Sequence, residues 1–471
     1  MKRSLKMICC LALLLCMGCT SKTYLDPDKP ITVKLWNYYT GKQMESFNGL
    51  VESFNATVGK EKGIIVEVTG FGNVNELGQS VRDAANKKVG AQEVPDIFAA
   101  YADTAYQVDA LGIVEDLSLH FTEQELSQYI PGYIEEGQFN GGLKIFPTAK
   151  STEIMMLNMT DFNQFANATG VQIEDLSTIE GLVEVSKKYY EYTDGLTSTP
   201  NDGKAFFGRD AFANYMLVGY RQLATDIFSK KDNKIVLNFE ADIAKKLWDN
   251  YYVPYISGYF SSSGKFRSDD IKIGNILACV SSSSSVTYFP KEVILNDEES
   301  HSIELETFAC PKFKDGKDYV VQQGAGMVVL KSEEKEQQAA VEFLKWFTSD
   351  KQNIAFSNAS GYLPVTKSAN DLDKITDEVE VNESVKKTLN TSLKMISDNN
   401  MYTSVPFEKG TDARNVLETT MSNLAKQDRE TVITNLSNGM NLEQAISQFN
   451  NDTYFNQWYT NTKSQLESLI K

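Results

Sequence analysis

Three aromatic side chains follow the first predicted strand, in the stretch Trp36-Asn37-Tyr38-Tyr39. The rings of Trp36, Tyr38 and Tyr39 can stack on the C–H faces of a pyranose, and each contact would contribute about 1 kcal/mol. The alternating residues 31–36 predict a strand that ends at these rings. Trp36 could equally pack in the core, so Tyr38 and Tyr39 are the preferred ligand contacts.

Four polar residues on a later predicted strand form a second candidate group. Lys150, Ser151, Thr152 and Glu153 follow Pro147. Their charged and hydroxyl groups can bond sugar hydroxyls in a partly dry site, where an unmet polar partner costs about 1–3 kcal/mol. An exposed strand edge would have the same composition, and Glu153 could equally belong to a salt bridge.

Small residues mark two places where the backbone could approach a ligand closely. Residues 281–285 are all serine, and we expect Ser283 and Ser284 to contact the ligand and Tyr288 to cover it. Gly324, in Gly324-Ala325-Gly326, lacks a Cβ and permits the same approach. The alternatives are a flexible loop for the serines and a β-bulge for the glycines.

The scarcity of histidine and arginine argues against several chemistries. The two histidines are far apart in the sequence, which disfavours a zinc site or a histidine triad. Few arginines leave few places for bidentate recognition of carboxylate or phosphate. We therefore predict no catalytic residue, no metal and no cofactor. Cys279 and Cys310 could form a disulfide, but two separate buried thiols are favoured because nothing in the sequence shows that their Cβ atoms lie close.

The N-terminal segment has the pattern of a secretion signal that ends in a lipidation site. Basic residues precede the apolar residues 8–17, a stretch about half as long as a bilayer span. Gly18-Cys19 follows, which resembles the cleavage site of bacterial lipoproteins. We expect residues 1–30 to be signal and tether, with Cys19 as the acylated N-terminal residue after cleavage. An ordinary cleaved signal with a chance cysteine is the alternative.

Strands and amphipathic helices alternate after the tether, which predicts an α/β fold with a largely parallel first sheet. Ligands of such sheets bind beyond the carboxyl ends of the strands. A later helix is predicted at residues 331–349, with Ser332 as its cap. The early strands are predicted at residues 31–36, 63–69 and 95–100, and the helices at 44–55, 75–86 and 104–111.

The order of these segments resembles that of family 1 extracellular solute-binding proteins, the receptor subunits of carbohydrate ABC importers. In the sugar receptors the strand after Pro147 usually ends in two tyrosines and an asparagine, whereas Met156 and Leu157 stand at the tyrosine positions here. The matching pieces are Trp36-Asn37-Tyr38-Tyr39, Gly72-Asn73, Pro95-Asp96-Ile97-Phe98, Leu111-Gly112-Ile113-Val114-Glu115-Asp116-Leu117, Phe146-Pro147 with Lys150 and Asn158, Val321-Gln322-Gln323-Gly324-Ala325-Gly326, and Gly361-Tyr362-Leu363-Pro364-Val365.

The resemblance implies a two-lobed periplasmic-binding-protein-like fold of type 2, with mixed sheets flanked by helices and joined by three hinge crossings. It places ligand contacts at the lobe interface, and Asn73, Tyr101 and Tyr362 complete the expected set. The expected boundaries are residues 31–147 and 309–350 for the first lobe, residues 148–308 and 351–471 for the second, and crossings near residues 144–151, 308–313 and 348–357.

The function implied is that of a receptor on the outer face of the cytoplasmic membrane, held there by its lipid. It would be a monomer that binds a small carbohydrate and delivers it to the membrane subunits of an ABC importer. The net charge of −17 disfavours nucleic acid as a partner. The alternatives are a receptor for glycerol-3-phosphate or another small polar solute, a ferric-ion receptor that uses clustered tyrosines, and a secreted glycosidase that uses two carboxylates.

The lipidation site gives a direct prediction. Mass spectrometry of protein from the membrane fraction should find an acylated peptide that begins at Cys19, because the signal ends there. Cys19→Ser should release the protein from the membrane fraction. A soluble form that begins at Thr20 or later, unaffected by Cys19→Ser, would contradict the assignment.

Overall fold

The computed structural model describes residues 24–232, 234–377 and 381–470. The predicted signal and Cys19 lie outside the described residues. Within these three ranges no helix is both long enough and apolar enough to cross a membrane.

Two four-stranded sheets form the framework. Their strands are β1 (Ile31–Asn37), β2 (Ile64–Gly70), β3 (Ile97–Ala100), β4 (Glu153–Asn158), β5 (Phe207–Arg209), β6 (Ala278–Ser282), β7 (Leu305–Ala309) and β8 (Gly326–Val329). The first sheet has the order β8-β3-β1-β2 and the second has the order β7-β4-β6-β5. In the first sheet β1 runs parallel to β2 and β3, and β8 runs antiparallel to β3. Both sheets are mixed, because β4 runs antiparallel to β6 and β7 while β5 runs parallel to β6.

Helices surround both sheets, and four short pairs of strands lie outside them. The short pairs join Gln138–Phe139 to Gly142–Leu143, Phe228–Lys231 to Lys234–Leu237, Glu292–Ile294 to Ser300–Ser302, and Tyr319–Val321 to Asn400–Tyr402. The main helices are α1 (Gly41–Phe54), α2 (Val74–Ala85), α3 (Ala102–Asp109), α4 (Pro131–Gly137), α5 (Met159–Thr169), α6 (Ile179–Asp194), α7 (Phe212–Leu223), α8 (Ala241–Asp249), α9 (Tyr252–Ile256), α10 (Arg267–Lys272), α11 (Glu334–Phe347), α12 (Asp350–Ser360), α13 (Leu372–Asp377), α14 (Glu383–Asp398), α15 (Gly410–Ser437), α16 (Leu442–Ile446) and α17 (Asp452–Leu469).

The first sheet and its helices form where the periodicity of the sequence predicts them. Helix α1 buries Phe47 and Phe54 on one face, and α11 buries Phe343 and Phe347. Such a stripe stabilises a helix through packing against the sheet more than through helix propensity. The predicted cap of α11 at Ser332 is wrong, because Glu333 occupies the cap and its N–H donates to the Glu336 carboxylate at 3.1 Å.

The buried residues divide between the two sheets. Phe47 and Phe343 share the core of the first sheet with Phe356 and Tyr362, which come from the end of α12 and beyond. Phe313 packs in the core of the second sheet. We call the part built on the first sheet the first lobe and the part built on the second sheet the second lobe. The packing of Phe313 and Phe356 shifts the lobe boundaries expected near residues 309 and 351, and the remaining boundaries stay a prediction.

Three chain segments pass between the lobes and meet at Lys150. The backbone of Lys150 pairs with Leu363, and the backbone of the next residue pairs with Gln323. The crossing expected at residues 308–313 is wrong, because β7 pairs with β4 inside the second sheet. The chain crosses later, at residues 322–325, between the short strand Tyr319–Val321 and β8.

The two mature cysteines outside the signal are free thiols, as the sequence favours. Cys279 is buried in β6 and Cys310 is half-buried after β7. Burial raises the pKa of both thiols, and that of Cys310 reaches about 12. Both therefore stay protonated at neutral pH.

Gly324 offers a test of the crossing geometry. Its φ is +88°, and a Cβ there would lie 2.5 Å from the carbonyl oxygen of Ala149. Gly324→Ala should lower the free energy of unfolding by about 3 kcal/mol, from left-handed strain plus backbone overpacking. Gly141 is the matched control, because its φ is +82° and nothing lies within 4 Å of its Cβ position. Gly141→Ala should cost about 1 kcal/mol. Urea denaturation measures both losses, and equal losses would contradict the close approach.

Candidate functional site

The hydroxyl groups of Tyr38 and Tyr362 meet beside the crossing segments, and Tyr101 lies close enough to contribute to the raised pKa of Tyr38. The Oη atoms of Tyr38 and Tyr362 lie 3.3 Å apart, and the N–H of Ala325 donates to Tyr38 Oη at 3.3 Å. Burial raises the pKa of the Tyr101 hydroxyl, while the nearby backbone of Gly324 acts in the opposite sense. The Tyr101 side chain stays partly open to solvent, since the residue is 38% exposed. Four residues predicted from the sequence therefore come together here.

The other two members of the predicted aromatic rim belong to the core. Trp36 is buried and its ring centroid lies 5.2 Å from that of Phe71. Tyr39 is buried between Phe47 and Phe356, with both centroids 5.2 Å away. The alternation of β1 turns the Trp36 ring to a packed face of the sheet, whereas Tyr39 lies two residues beyond the strand. Tyr38 is the rim residue that faces the lobe interface.

The serine run is an ordered turn rather than a flexible loop. Residues Ser283–Tyr288 form a 3₁₀ turn after β6. The hydroxyl of Ser281 donates to Asp210 Oδ2 at 2.8 Å, and the other oxygen of that carboxylate lies 3.5 Å from Nε of the buried Arg267. Burial raises the pKa of Asp210, while Ser281 and Arg267 lower it. A buried ion pair thus anchors the start of the run.

The run also contacts the first crossing segment. The hydroxyl of Ser282 donates to Ser151 Oγ at 3.1 Å, and the N–H of Ser283 donates to the Thr152 carbonyl at 2.8 Å. The hydroxyl of Ser283 is buried and has no hydrogen-bond partner among the described residues. The hydroxyl of this one serine is therefore available to donate a hydrogen bond.

Tyr288 and Ser284 make contacts between the lobes, although the Tyr288 side chain is also exposed. The hydroxyl of Tyr288 donates to the Thr40 carbonyl at 3.0 Å and lies 3.1 Å from Thr40 Oγ1. Gln43 Nε2 donates to the carbonyl of Ser284 at 3.1 Å. These bonds connect the loop after β1 in the first lobe to the serine turn in the second. They hold the lobes together at one end of the interface.

The polar residues of the first crossing point mostly inward. The ammonium of Lys150 is buried, bonds the Glu136 carboxylate, and donates to the Gly324 carbonyl at 2.7 Å. Thr152 donates to the Val321 carbonyl at 2.8 Å. Glu153 is buried and bound by Arg209 and Asn214, so the salt-bridge alternative describes it. Ser151, through its hydroxyl, and Thr152, through its carbonyl, bond the serine run.

Asn73 has a structural task. Its side-chain oxygen accepts the N–H groups of Asn75 and Glu76 at 3.0 and 2.9 Å, which caps helix α2. Its Nδ2 donates to the Glu76 carboxylate at 2.7 Å. The asparagine side chain is therefore spent on the helix terminus.

Two charged residues that the sequence reasoning missed lie between the lobes. The Asp103 carboxylate, on the first turn of α3, accepts the Phe407 N–H at 3.4 Å and lies against Gly410 at the start of α15. Burial raises the pKa of Asp103 to about 6, while Phe407 and the charge of Arg414 lower it. Arg414 also lowers the pKa of Tyr101. One half-buried cation of the second lobe therefore faces an acid and a tyrosine of the first.

We call Tyr38, Tyr101, Asp103, Tyr362 and Arg414, together with the serine run, the interlobe site. The sequence could have indicated Asp103, since this residue lies just after a predicted strand and two residues after Tyr101. Arg414 has no such signal, because nothing in its neighbourhood in the sequence sets it apart from a surface arginine on a helix. Only the packing of α15 against the first lobe brings it to this place.

The interlobe site is flanked by two cavities. One of about 360 Å³ lies inside the second lobe beside Arg209, Tyr319 and Met395. The other, of about 880 Å³, lies between α1 and the residues after the serine run, near Phe289. The two lobes already touch at Tyr288 and at Asp103.

Comparison with known proteins gives a family and a fold. A sequence profile described as "Bacterial extracellular solute-binding protein" matches residues 49–383. No curated protein matches the chain by sequence. Solved structures match this chain along nearly its whole length. Their sequence identities are low, so the matches establish the fold but not the ligand.

Three of these structures illustrate the fold. The cyclic α-maltosyl-1,6-maltose binding protein of Arthrobacter globiformis has 16% identity and a TM-score of 0.67, over 94% of this chain and 99% of that one. UgpB from Mycobacterium tuberculosis, in complex with glycerophosphocholine, has 15% identity and a TM-score of 0.67, over 93% and 98%. The maltotriose binding protein of Thermus thermophilus has 14% identity and a TM-score of 0.62, over 93% and 100%. The two-lobed α/β fold expected from the sequence is confirmed.

The carboxyl group of Asp103 gives a pH prediction. Its folded pKa of about 6 lies above the ordinary value near 3.9, so the folded protein keeps a proton that the unfolded chain has released. The free energy of unfolding should fall as pH rises through that window, by about 3 kcal/mol at most. Asp103→Asn removes this loss, so it should be the more stable protein at pH 7.5 and similar to the parent near pH 4.

Urea denaturation at the two pH values measures this effect. Asp28→Asn, at an exposed position, is the control for the same change of charge. If Asp103→Asn and the parent lose stability in parallel between pH 4 and 7.5, the carboxylate is not buried as described.

Proposed function

The chain belongs to the family of bacterial extracellular solute-binding proteins, and from this premise we propose that it is a lipid-anchored receptor for a sugar or oligosaccharide. It delivers its ligand to the membrane subunits of an ABC importer and works as a monomer on the outer face of the cytoplasmic membrane. Proteins of this family act outside the cytoplasm and are receptors rather than enzymes. The two-lobed form supports closure around the ligand by a hinge.

The clustering of three tyrosines beside the serine run carries this proposal. A sugar presents C–H faces that pack on aromatic rings and hydroxyls that need donors and acceptors. Tyr38, Tyr101 and Tyr362 supply both, and Ser283 retains an unspent hydroxyl. The binding proteins for maltotriose and for a cyclic maltose derivative share the fold, which is consistent with such a ligand.

The receptor role replaces the glycosidase alternative. A glycosidase needs two carboxylates placed on either side of a bond. In the interlobe site Asp103 faces Arg414 and the Phe407 N–H, and Glu153 is paired with Arg209. The family, together with these engaged carboxylates, supports binding without chemistry.

Arg414 favours a second candidate, a receptor for a small phosphodiester. Among the described residues its guanidinium makes one hydrogen bond, to Asn214 at 2.6 Å, and no ion pair. The remaining N–H donors suit phosphate oxygens. UgpB from Mycobacterium tuberculosis, which has this fold, is seen with glycerophosphocholine. The scarcity of arginine that argued against an anionic ligand does not exclude a site built on one well-placed arginine.

A ligand screen by thermal shift separates the two candidates. Maltotriose, further mono- and oligosaccharides and glycerophosphocholine are tested at about 100 times the expected Kd, where a bound ligand adds about 2.7 kcal/mol of stability. We expect a neutral oligosaccharide to raise the Tm and to be recovered unchanged by chromatography. Stabilisation by glycerophosphocholine alone would favour the phosphodiester receptor, and conversion of a sugar by the purified protein would contradict both.

Tyr101 gives the matching mutational prediction. Tyr101→Ala should weaken binding of the ligand found in the screen by about 1–3 kcal/mol, a 5- to 150-fold rise in Kd, because an open ring face is lost. Tyr101→Phe keeps the ring and loses one hydroxyl bond, so it should cost about 1 kcal/mol. Calorimetric titration decides, with the Tm as a control for folding. Parent-like affinity of folded Tyr101→Ala would place the ligand elsewhere.

A further inference from the structure

A chain of buried side chains leads from the interlobe site into the second lobe. Arg414 Nη2 donates to Asn214 Oδ1 at 2.6 Å. Asn214 Nδ2 donates to Glu153 Oε1 at 2.8 Å, and Arg209 Nη2 donates to Glu153 Oε2 at 2.7 Å. We call these four residues the arginine relay. The strand β4, strand β5, helix α7 and helix α15 each contribute one member.

The polarity of the relay is set at its buried end. A carboxylate only accepts hydrogen bonds, so Glu153 requires the NH₂ group of Asn214 to point at it. The amide oxygen of Asn214 then points the other way, toward Arg414, where a guanidinium needs an acceptor. An amide flipped by 180° would place two donors against each other and two acceptors against each other. The charge of Glu153 thereby determines which group Arg414 meets.

Burial makes this polarity hard to lose. Glu153 is 4% exposed and Asn214 is 1% exposed, so water cannot replace a missing partner. Burial raises the pKa of Glu153, and the charge of Arg209 and the bond from Asn214 act in the opposite sense. An unpaired polar group at this depth would be costly, which favours the complete relay over any broken one.

Packing alone does not hold the relay in place. The cavity of about 360 Å³ in the second lobe is lined by Glu153, Arg209 and Asn214, and Nε of Arg209 has no hydrogen-bond partner among the described residues. Side chains beside such a cavity have room to adopt other rotamers. The hydrogen bonds of the relay therefore fix Arg414. Removing one of them should change the position and the mobility of its guanidinium.

From this geometry we infer that Glu153 and Asn214 are positioning residues, which fix the Arg414 guanidinium so that its free N–H donors face the ligand. The inference rests on the proposed function, since it assumes that the ligand lies in the interlobe site. Glu153 acts from a distance, through the amide of Asn214, and does not touch the ligand. It gives a role to a carboxylate that the sequence placed among the ligand contacts.

The test compares Asn214→Leu in the parent and in an Arg414→Met background. Calorimetry uses maltotriose and glycerophosphocholine as probes. Asn214→Leu should weaken binding about tenfold in the parent, because it removes a charge-assisted bond. In the Arg414→Met background it should change Kd less than twofold. Thr388→Val, a buried polar change elsewhere in the second lobe, is the control and should leave Kd unchanged in both.

A measurement without ligand keeps the relay testable if neither probe binds. In protein labelled at arginine, the Nε–Hε signal lost in Arg414→Lys identifies Arg414. This signal should shift and broaden in Asn214→Leu and in Glu153→Gln, and stay unchanged in Thr388→Val. Because Glu153→Gln also strips Arg209 of its partner, its Tm is measured in parallel.

The outcomes separate the relay from the proposed function. If neither probe binds, these ligands are excluded. If the Arg414 signal then still shifts and broadens in Asn214→Leu, the relay is supported. An unchanged Arg414 signal in both variants would overturn the relay. So would a tenfold loss of affinity in Asn214→Leu that persists without Arg414, because the asparagine would then act by another route.

Discussion

The buried ammonium of Lys150 is the constraint on which the lobe arrangement depends. An unpaired charge at this depth would be very costly, so its partners must be held in place. Glu136 comes from the first lobe, the Gly324 carbonyl comes from the second crossing, and the Lys150 backbone pairs with Leu363 of the third. Through its side chain and its backbone together, this one residue joins all three crossings. Gln322, which donates to the same Glu136 carboxylate at 2.6 Å, reinforces the arrangement.

The interlobe site follows from that convergence. Gly324 is drawn against Lys150, and the adjacent Ala325 N–H meets the hydroxyl of Tyr38. The same crossing brings Tyr362 to Tyr38, so tyrosines far apart in the chain share one place. The second lobe presents the charge of Arg414 to this place, and the hydrogen bonds of the arginine relay hold that side chain. A ligand between the lobes would therefore meet a fixed aromatic side and a fixed charged side.

Local pattern predicted the first lobe well and the charges of the site poorly. Strand β1 and helix α11 lie within a few residues of their predicted bounds, because alternation and helical spacing report directly on burial. Tyr38 was found because it ends a strand. Lys150 and Glu153 were chosen as polar groups near the ligand, yet both are buried ion-pair members, and no local pattern reveals a partner 14 or 56 residues away. Arg414 was missed for the same reason, since Asn214 and Asp103, which it faces, lie far from it in the sequence.

The proposed receptor function requires the two lobes to close around a ligand that stays chemically unaltered. Small-angle X-ray scattering of the protein with and without the ligand from the screen tests it most directly. We expect a larger radius of gyration for the free protein and a smaller one with ligand, and no change with a sugar that does not bind. Saturating ligand that leaves the radius of gyration unchanged would contradict closure between the lobes, even if binding itself were tight.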